Sequence, residues 1–323
     1  MKERAGSSKK GASSRGRKSE TAITAGSVEP ILPPGKAQSA PGSAAELAPG
    51  LYVTATPIGN ARDISLRALD ILRGCDAILA EDTRITAKLL AIYGISRPLA
   101  VYNDHTAQRE RPKWLARLSA GQRLALVSDA GTPLVSDPGF KLVREAIAEG
   151  LPVYAVPGAS APLTALALAG LPTDRFLFAG FLPAKHGERL TFLTEMKDLR
   201  STLVFFESAP RLAGSLTDMA AVLGPRPAAV GRELTKLHEE IRRGDLAALA
   251  AHYRQAGPPR GELTVVVGPP LAAEPDLAHA DALLEKALAV MPVRAAADLV
   301  AEALDLPRRA LYARALVLKP DHD

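Results

Sequence analysis

From Leu51 onward, short apolar runs alternate with segments of helical period. The runs at 51–55, 77–80, 99–102, 124–127 and 153–156 are short, apolar and bounded by turn-forming residues, so they read as buried strands. The segments between them space their apolar residues by three and four and read as helices. This alternation predicts an α/β fold with a mostly parallel sheet covered by helices. After Gly170-Leu171-Pro172 the pattern resumes at 176–179, 203–206, 228–230 and 263–267, with helices such as 212–222 between, and predicts a second α/β domain. Beyond Pro269-Pro270, the segments 282–290, 295–304 and 309–317 keep helical period without any strand pattern. The expected organisation is a basic tail over 1–48, an N-terminal α/β domain over 49–172, a second α/β domain over 173–270 and a small helical C-terminal element over 271–323.

Composition refines this division. Residues 1–48 contain no aromatic residue and are rich in Ser, Gly, Ala, Pro and Lys, too little apolar surface to offset chain entropy, so a disordered tail is expected. The formal charge of +5 invites a nucleic-acid reading, yet residues 1–50 hold 8 Lys/Arg against 4 Asp/Glu, leaving 32 against 31 elsewhere. Any basic binding face on the folded body must therefore be local. The uncharged stretch from Leu151 to Thr173 is broken by Pro152, Pro157 and Pro162 and offers no membrane span. Cys75 is the only cysteine and the first residues have no apolar core of a secretory signal, so a cytoplasmic protein without disulfides is expected.

Several chemistries are excluded by spacing. No two glycines stand two apart, so the G-x-G core of a dinucleotide-binding turn is absent. There is no G-x-x-x-x-G-K-[ST], and six scattered histidines with one cysteine give no zinc-ligand spacing, so no metal is expected. What stands out is polar and turn chemistry placed directly after the predicted strands, where open α/β sheets form ligand crevices. Thr56-Pro57-Ile58-Gly59-Asn60 follows the first strand, with Asn60 or Asp63 available to cap the next helix. Glu81-Asp82-Thr83-Arg84 follows the second, where Asp82 or Thr83 serves equally well as a simple helix cap. The run of small and turn-forming residues from Ser128 to Gly139 follows the fourth and is long for a connector, which favours a backbone cradle for a small ligand. Pro157-Gly158-Ala159-Ser160-Ala161 opens an apolar helix whose amino end can face a carboxylate. In the second domain, Phe181-Leu182-Pro183-Ala184-Lys185, Phe206-Glu207-Ser208 and Arg232-Glu233-Leu234-Thr235-Lys236 cluster charge after apolar runs.

Taken in order, T-P-I-G-N at 56–60, A-E-D-T-R at 80–84, S-D-A-G-T-P at 128–133, S-D-P-G at 136–139, F-L-P-A-K at 181–185 and R-E-L-T-K at 232–236 resemble the ribosomal RNA small subunit methyltransferase I family of the tetrapyrrole methylase superfamily. The resemblance covers about residues 51–318. It implies a two-domain tetrapyrrole-methylase-like fold, S-adenosylmethionine held in the cleft between domains, a homodimer, and 2′-O-methylation of a cytidine ribose in the decoding region of small-subunit rRNA. By this analogy the donor loops contribute Pro57, Asp129, Ala130, Gly131, Thr132, Ser160 and Ala161, with Phe206 and Leu263 from the second domain. Glu81, Asp82 and Lys236 are the candidates for a base or an alkoxide-stabilising cation. Arg84 and Lys185, and Arg308 and Arg309 on the C-terminal helices, are the candidates for RNA contact. Two other readings stand beside this one: a precorrin-type tetrapyrrole methyltransferase with the same donor site, and a non-catalytic ribosome-assembly protein that binds RNA without a donor.

Overall fold

The computed structural model describes residues 47–271, 277–304 and 306–319, so all but the last two residues of the predicted tail lie outside it. The first half runs β1 (Gly50–Thr54), α1 (Leu66–Gly74), β2 (Ala77–Ala80), α2 (Thr83–Ile92), β3 (Leu99–Val101), α3 (Ala107–Ser119), β4 (Arg123–Val127), α4 (Phe140–Ala148) and β5 (Val153–Val156). Its five strands form one fully parallel sheet in the order β3-β2-β4-β1-β5. Because side chains alternate across the pleat, each strand feeds both faces. Ile78, Ala80, Ala125 and Val127 join a core on one face, while Ala77, Leu79, Leu124 and Leu126 join the core on the other, with Trp114 and Leu142.

α5 (Ala161–Ala169) follows β5, and its Ala165, Leu166 and Ala169 share a core with Val204, Ala229 and Val266 of the second sheet. A helix apolar on nearly every side needs cover on more than one face, and the position between the two halves provides it. The second half continues with β6 (Phe176–Phe181), α6 (His186–Glu195), β7 (Thr202–Glu207), α7 (Leu212–Leu223), β8 (Pro227–Arg232), β9 (Glu240–Asp245), α8 (Leu246–Ala256) and β10 (Leu263–Val267). Their order is β6-β7-β10-β8-β9, with only β6 and β7 parallel.

β9 departs from the sequence expectation, in which residues 232–236 formed a charged cluster and no strand stood between the runs at 228–230 and 263–267. Its sequence, Glu-Ile-Arg-Arg-Gly-Asp, carries charge at most positions because it is an edge strand, where charged side chains discourage further pairing. The periodicity of a buried strand is absent there because only one neighbour and one face cover it.

The loop after β6 is fixed from beneath by a buried ion pair. Arg189 on α6 donates from Nε to Asp218 on α7 at 2.7 Å and from its terminal nitrogen to the carbonyls of Pro183 and Ala184 at 3.1 and 3.0 Å. The C-terminal element consists of α9 (Leu277–Leu288), α10 (Val293–Leu304) and α11 (Arg308–Leu318), which share a core of Ala280, Leu284, Ala296, Val300 and Leu311. Among the described residues no helix is long and apolar enough to cross a membrane.

Candidate active site

The carboxyl ends of the parallel strands carry the predicted loops to one place. Thr56 after β1 and Gly131 after β4 exchange backbone hydrogen bonds, with Thr56 N donating to Gly131 O at 2.8 Å and Gly131 N to Thr56 O at 3.0 Å. The Thr56 hydroxyl donates to Ser128 O at 3.2 Å, and the Thr132 hydroxyl to Ala159 O at 3.1 Å. The backbone N–H of Asp82 donates to the Asp129 carboxylate at 2.9 Å, joining the loop after β2 to the loop after β4. Four loops thus meet as one hydrogen-bonded rim.

Facing this rim, the loops of the second half close a cavity of about 610 Å³. Its apolar surface comes from Ile58, Phe181, Phe206, Leu234 and Leu263. Its charged groups are all acidic: Glu81, Asp129, Asp137, Glu207 and Glu262. Two of these are paired from behind the wall, Glu207 with Arg211 at 2.6 Å and Glu262 with Lys236 at 2.9 Å. The remaining three meet the cavity without a basic side chain in its lining. Burial pushes the Asp137 carboxyl up to about 6, with the Asp129 charge adding to the shift and a bond from Ser128 opposing it. Burial also raises Glu81, reinforced by the charges of Asp137, Asp129 and Asp104. Asp129 is raised by the same desolvation, partly offset by the bond from Asp82 N. A half-buried cluster of carboxylates is deficient in positive charge, and an incoming cation would relieve it.

Backbone strain marks the same two walls. Among the described residues, the positive-φ residues other than glycine are Leu134 (74°) and Ser136 (67°) in the loop after β4, and Glu233 (48°) and Thr235 (65°) in the loop after β8. Such conformations persist where surrounding contacts over-determine them. α5 presents its first turn to the cavity through Ser160, Ala161 and Pro162, and the Ser160 side chain makes no capping bond. The amide groups of that turn and its partial positive charge suit a carboxylate.

Residues 50–250 match the family described as Tetrapyrrole (Corrin/Porphyrin) Methylases, and residues 274–319 match the RsmI C-terminal HTH domain. The chain is 53% identical over 274 residues to Ribosomal RNA small subunit methyltransferase I of Mesorhizobium japonicum, across 84% of this chain and 93% of that protein. With the protein of the same name from Erythrobacter litoralis the identity is 52% over 277 residues, covering 86% and 98%. The chain belongs to the ribosomal RNA small subunit methyltransferase I family. Among solved structures, the methyltransferase CobJ aligns with a TM-score of 0.52 at 18% identity over 68% of this chain and 94% of that one, a likeness of fold.

In this chain, Glu81, Asp129, Ala130, Gly131, Thr132, Ser160, Ala161, Phe206 and Leu263 all line the cavity. Pro57 is buried in the loop beside Ile58 and lies outside the lining. Asp82 also lies outside it: its carboxylate caps α2 by accepting from Arg84 N at 2.8 Å and holds the Arg84 guanidinium at 2.6 Å. That bonding draws the Asp82 carboxyl down to about 2, which makes it a poor proton acceptor. Lys236 sits behind the wall, and Lys185 is exposed and paired with Glu188 at 2.8 Å. On the C-terminal helices Arg308 is paired with Asp298, whereas Arg309 is exposed. Of the helix caps, Asn60 caps only the single 3-10 turn at Ala61–Asp63, and Ser65 caps α1.

Asp137, Ser136, Ile58, Phe181 and Leu234 also line the cavity; they lie in loops that the sequence marks, but were not among its candidate site residues. A carboxylate inside a small-residue loop after a strand was the available signal for Asp137. For Ile58 and Leu234 there was none, since an apolar residue in a turn does not reveal what it faces.

Proposed function

We propose that this chain transfers a methyl group from S-adenosylmethionine to the 2′-hydroxyl of a cytidine ribose in the decoding region of small-subunit rRNA. The observation that carries the reading is the cavity beside Asp129: apolar walls, three carboxylates without a basic neighbour in the lining, and the open first turn of α5. Each part of the donor has a chemical counterpart. Ile58, Phe206, Leu234 and Leu263 suit the adenine, the carboxylates suit the ribose hydroxyls and the ammonium and sulfonium charges, and the α5 amides suit the donor carboxylate. A polyphosphate cofactor would meet like charge throughout. When bound, S-adenosylmethionine supplies an electrophilic methyl group on a sulfonium.

The residues of this chain then have separable tasks. Asp129, itself anchored by Asp82 N, binds and orients. Glu81, one of the three cavity carboxyls raised by burial and acidic neighbours, accepts the proton of the ribose hydroxyl. Phe181 and Phe206, whose rings lie 5.3 Å apart, give the cavity an apolar wall beside these groups. We assign the division at 49–172, 173–270 and 271–323 to this reading, with α5 as a shared wall. Arg309 and Arg294 on the exposed side of the C-terminal helices are the groups for RNA phosphates. The reading includes a homodimer in the cytoplasm, which would cover the exposed Tyr154, Phe176 and Leu177 on edge strands β5 and β6.

Labelled S-adenosylmethionine incubated with the protein and small ribosomal subunits tests the reading. Label is expected on one ribose of the RNA, mapped by its resistance to alkaline cleavage. Label passing to a precorrin-type acceptor instead, or no transfer to either, would refute it.

Asp137 carries a further expectation. A carboxyl raised in the folded state binds more protons than in the unfolded chain between the ordinary carboxylate range and about pH 6, so its contribution lowers stability as pH rises through that window. Asp137→Asn is therefore expected to raise the melting temperature of the ligand-free protein above pH 6 and to weaken donor binding. Donor binding by the wild type should release protons just below pH 6, measurable by calorimetry in buffers of different ionisation enthalpy. No proton release, together with an unchanged melting temperature, would count against the assignment.

A further inference from the structure

Lys236 was a candidate for chemistry, but its surroundings give it different work. Its ammonium donates to Glu233 at 2.8 Å and to Glu262 at 2.9 Å, and the same Glu233 oxygen accepts from the backbone N–H of Glu262 at 3.0 Å. The Lys236 stem lies flat on Gly59, where any Cβ would overlap it, and the Glu233 side chain lies on Gly261 in the same way. Gly261 also holds φ at +100°, so both the space and the backbone require glycine there. On the other side of Gly59, the N–H of Asn60 donates to the Thr235 hydroxyl at 3.2 Å. Three segments are tied in one knot: the loop after β1, the loop after β8 and the entry to β10.

Every one of these segments also contributes to the cavity wall, through Ile58, Leu234, and Gly261 to Thr264. Two of the four strained residues, Glu233 and Thr235, lie within the knot. Such left-handed conformations are costly for residues with a side chain and need contacts to hold them. The ion pairs and the 2.6 Å bond from Thr235 N to Glu239 are those contacts.

We propose that Lys236, clamped between Glu233 and Glu262 across Gly59, is a positioning residue that fixes the wall of the donor cavity. It acts through Ile58, Leu234 and Leu263 and never touches the reacting oxygen. Burial alone would lower its proton affinity, but its bonds to Glu233 and Glu262 outweigh that and raise it, so the ammonium stays charged at neutral pH and is unsuited to accept a proton. The inference rests on the donor reading of the cavity.

Three variants test it. Lys236→Met keeps the stem on Gly59 and removes the charge, Lys236→Arg restores a cation, and Gly59→Ala displaces the stem. With Lys236→Met and Gly59→Ala, the Kd for S-adenosylmethionine by calorimetry is expected to rise about tenfold, while the rate on small ribosomal subunits at saturating donor falls less than about threefold. The pH–rate profile should be unchanged, and Lys236→Arg should recover most of the affinity. Hydrogen exchange at 56–60 and 261–263, measured without donor, should be faster in Lys236→Met. A 100-fold rate loss at saturating donor with unchanged Kd, or a shifted pH profile, would overturn the proposal by placing Lys236 on the reacting atoms. So would unchanged exchange and unchanged affinity. If the wild type itself fails to bind S-adenosylmethionine, the donor reading falls, whereas the exchange measurement still decides whether the clamp fixes the wall.

Discussion

Asp129→Ala is expected to weaken S-adenosylmethionine binding by about two orders of magnitude, the loss of charged hydrogen bonds in a desolvated site. Asp129 combines two roles that the substitution removes together. One oxygen accepts from Asp82 N and so holds the loop after β2 against the loop after β4. The carboxylate also contributes charge to a cavity with no basic lining residue. Asp129→Asn separates the two, since an amide oxygen can still accept from Asp82 N while the charge is gone. Its affinity should fall between those of the wild type and the alanine variant, and its melting temperature should stay near that of the wild type. Calorimetric titration with S-adenosylmethionine and with S-adenosylhomocysteine measures both. The asparagine variant should lose more for the first ligand, which carries the sulfonium charge. Equal losses for the two would show that Asp129 does not respond to that charge.

The second large effect is expected at Glu81. Glu81→Gln should lower the rate of methyl transfer at saturating donor by about 10²–10⁴, the usual contribution of a positioned base, with donor affinity changed far less. Glutamine preserves the shape and removes the proton acceptor, so a loss confined to turnover assigns Glu81 to chemistry and not to binding. The wild-type rate should rise with pH through the raised Glu81 range, because the base acts in its ionised form and burial and acidic neighbours shift ionisation upward. That limb should vanish from the residual activity of Glu81→Gln. Asp82→Asn is the contrasting control. Asp82 is committed to Arg84 and to the α2 cap, so its removal should frustrate the start of that helix while the pH limb persists. A pH limb lost with Asp82 and retained without Glu81 would reverse the assignment.

Much of the candidate site was legible because its parts are local. A turn after a strand must satisfy its own backbone, and Ser128, Asp129, Gly131 and Thr132 announce such a turn by residue type alone. Glu81 and Asp82 were indistinguishable in sequence, since both follow β2. The structure separates them by direction: one side chain enters a desolvated cavity and the other bonds back to Arg84. Lys236 was legible as a charge near an apolar strand, but its pairing with Glu262 spans 26 residues, and its rest on Gly59 joins loops of the two halves.

The chain by itself determined the strands of the parallel sheet, the helical end and the loops that carry polar groups, because apolar period and turn chemistry are properties of neighbouring residues. Only the tertiary structure decided the antiparallel order of the second sheet and the edge strand β9, whose charged residues lack the mark of burial. It alone decided that α5 packs on the sheet of the other half, and which carboxylates share one cavity. Those outcomes depend on desolvation and charge between segments far apart in sequence, and no local pattern records the distance between them.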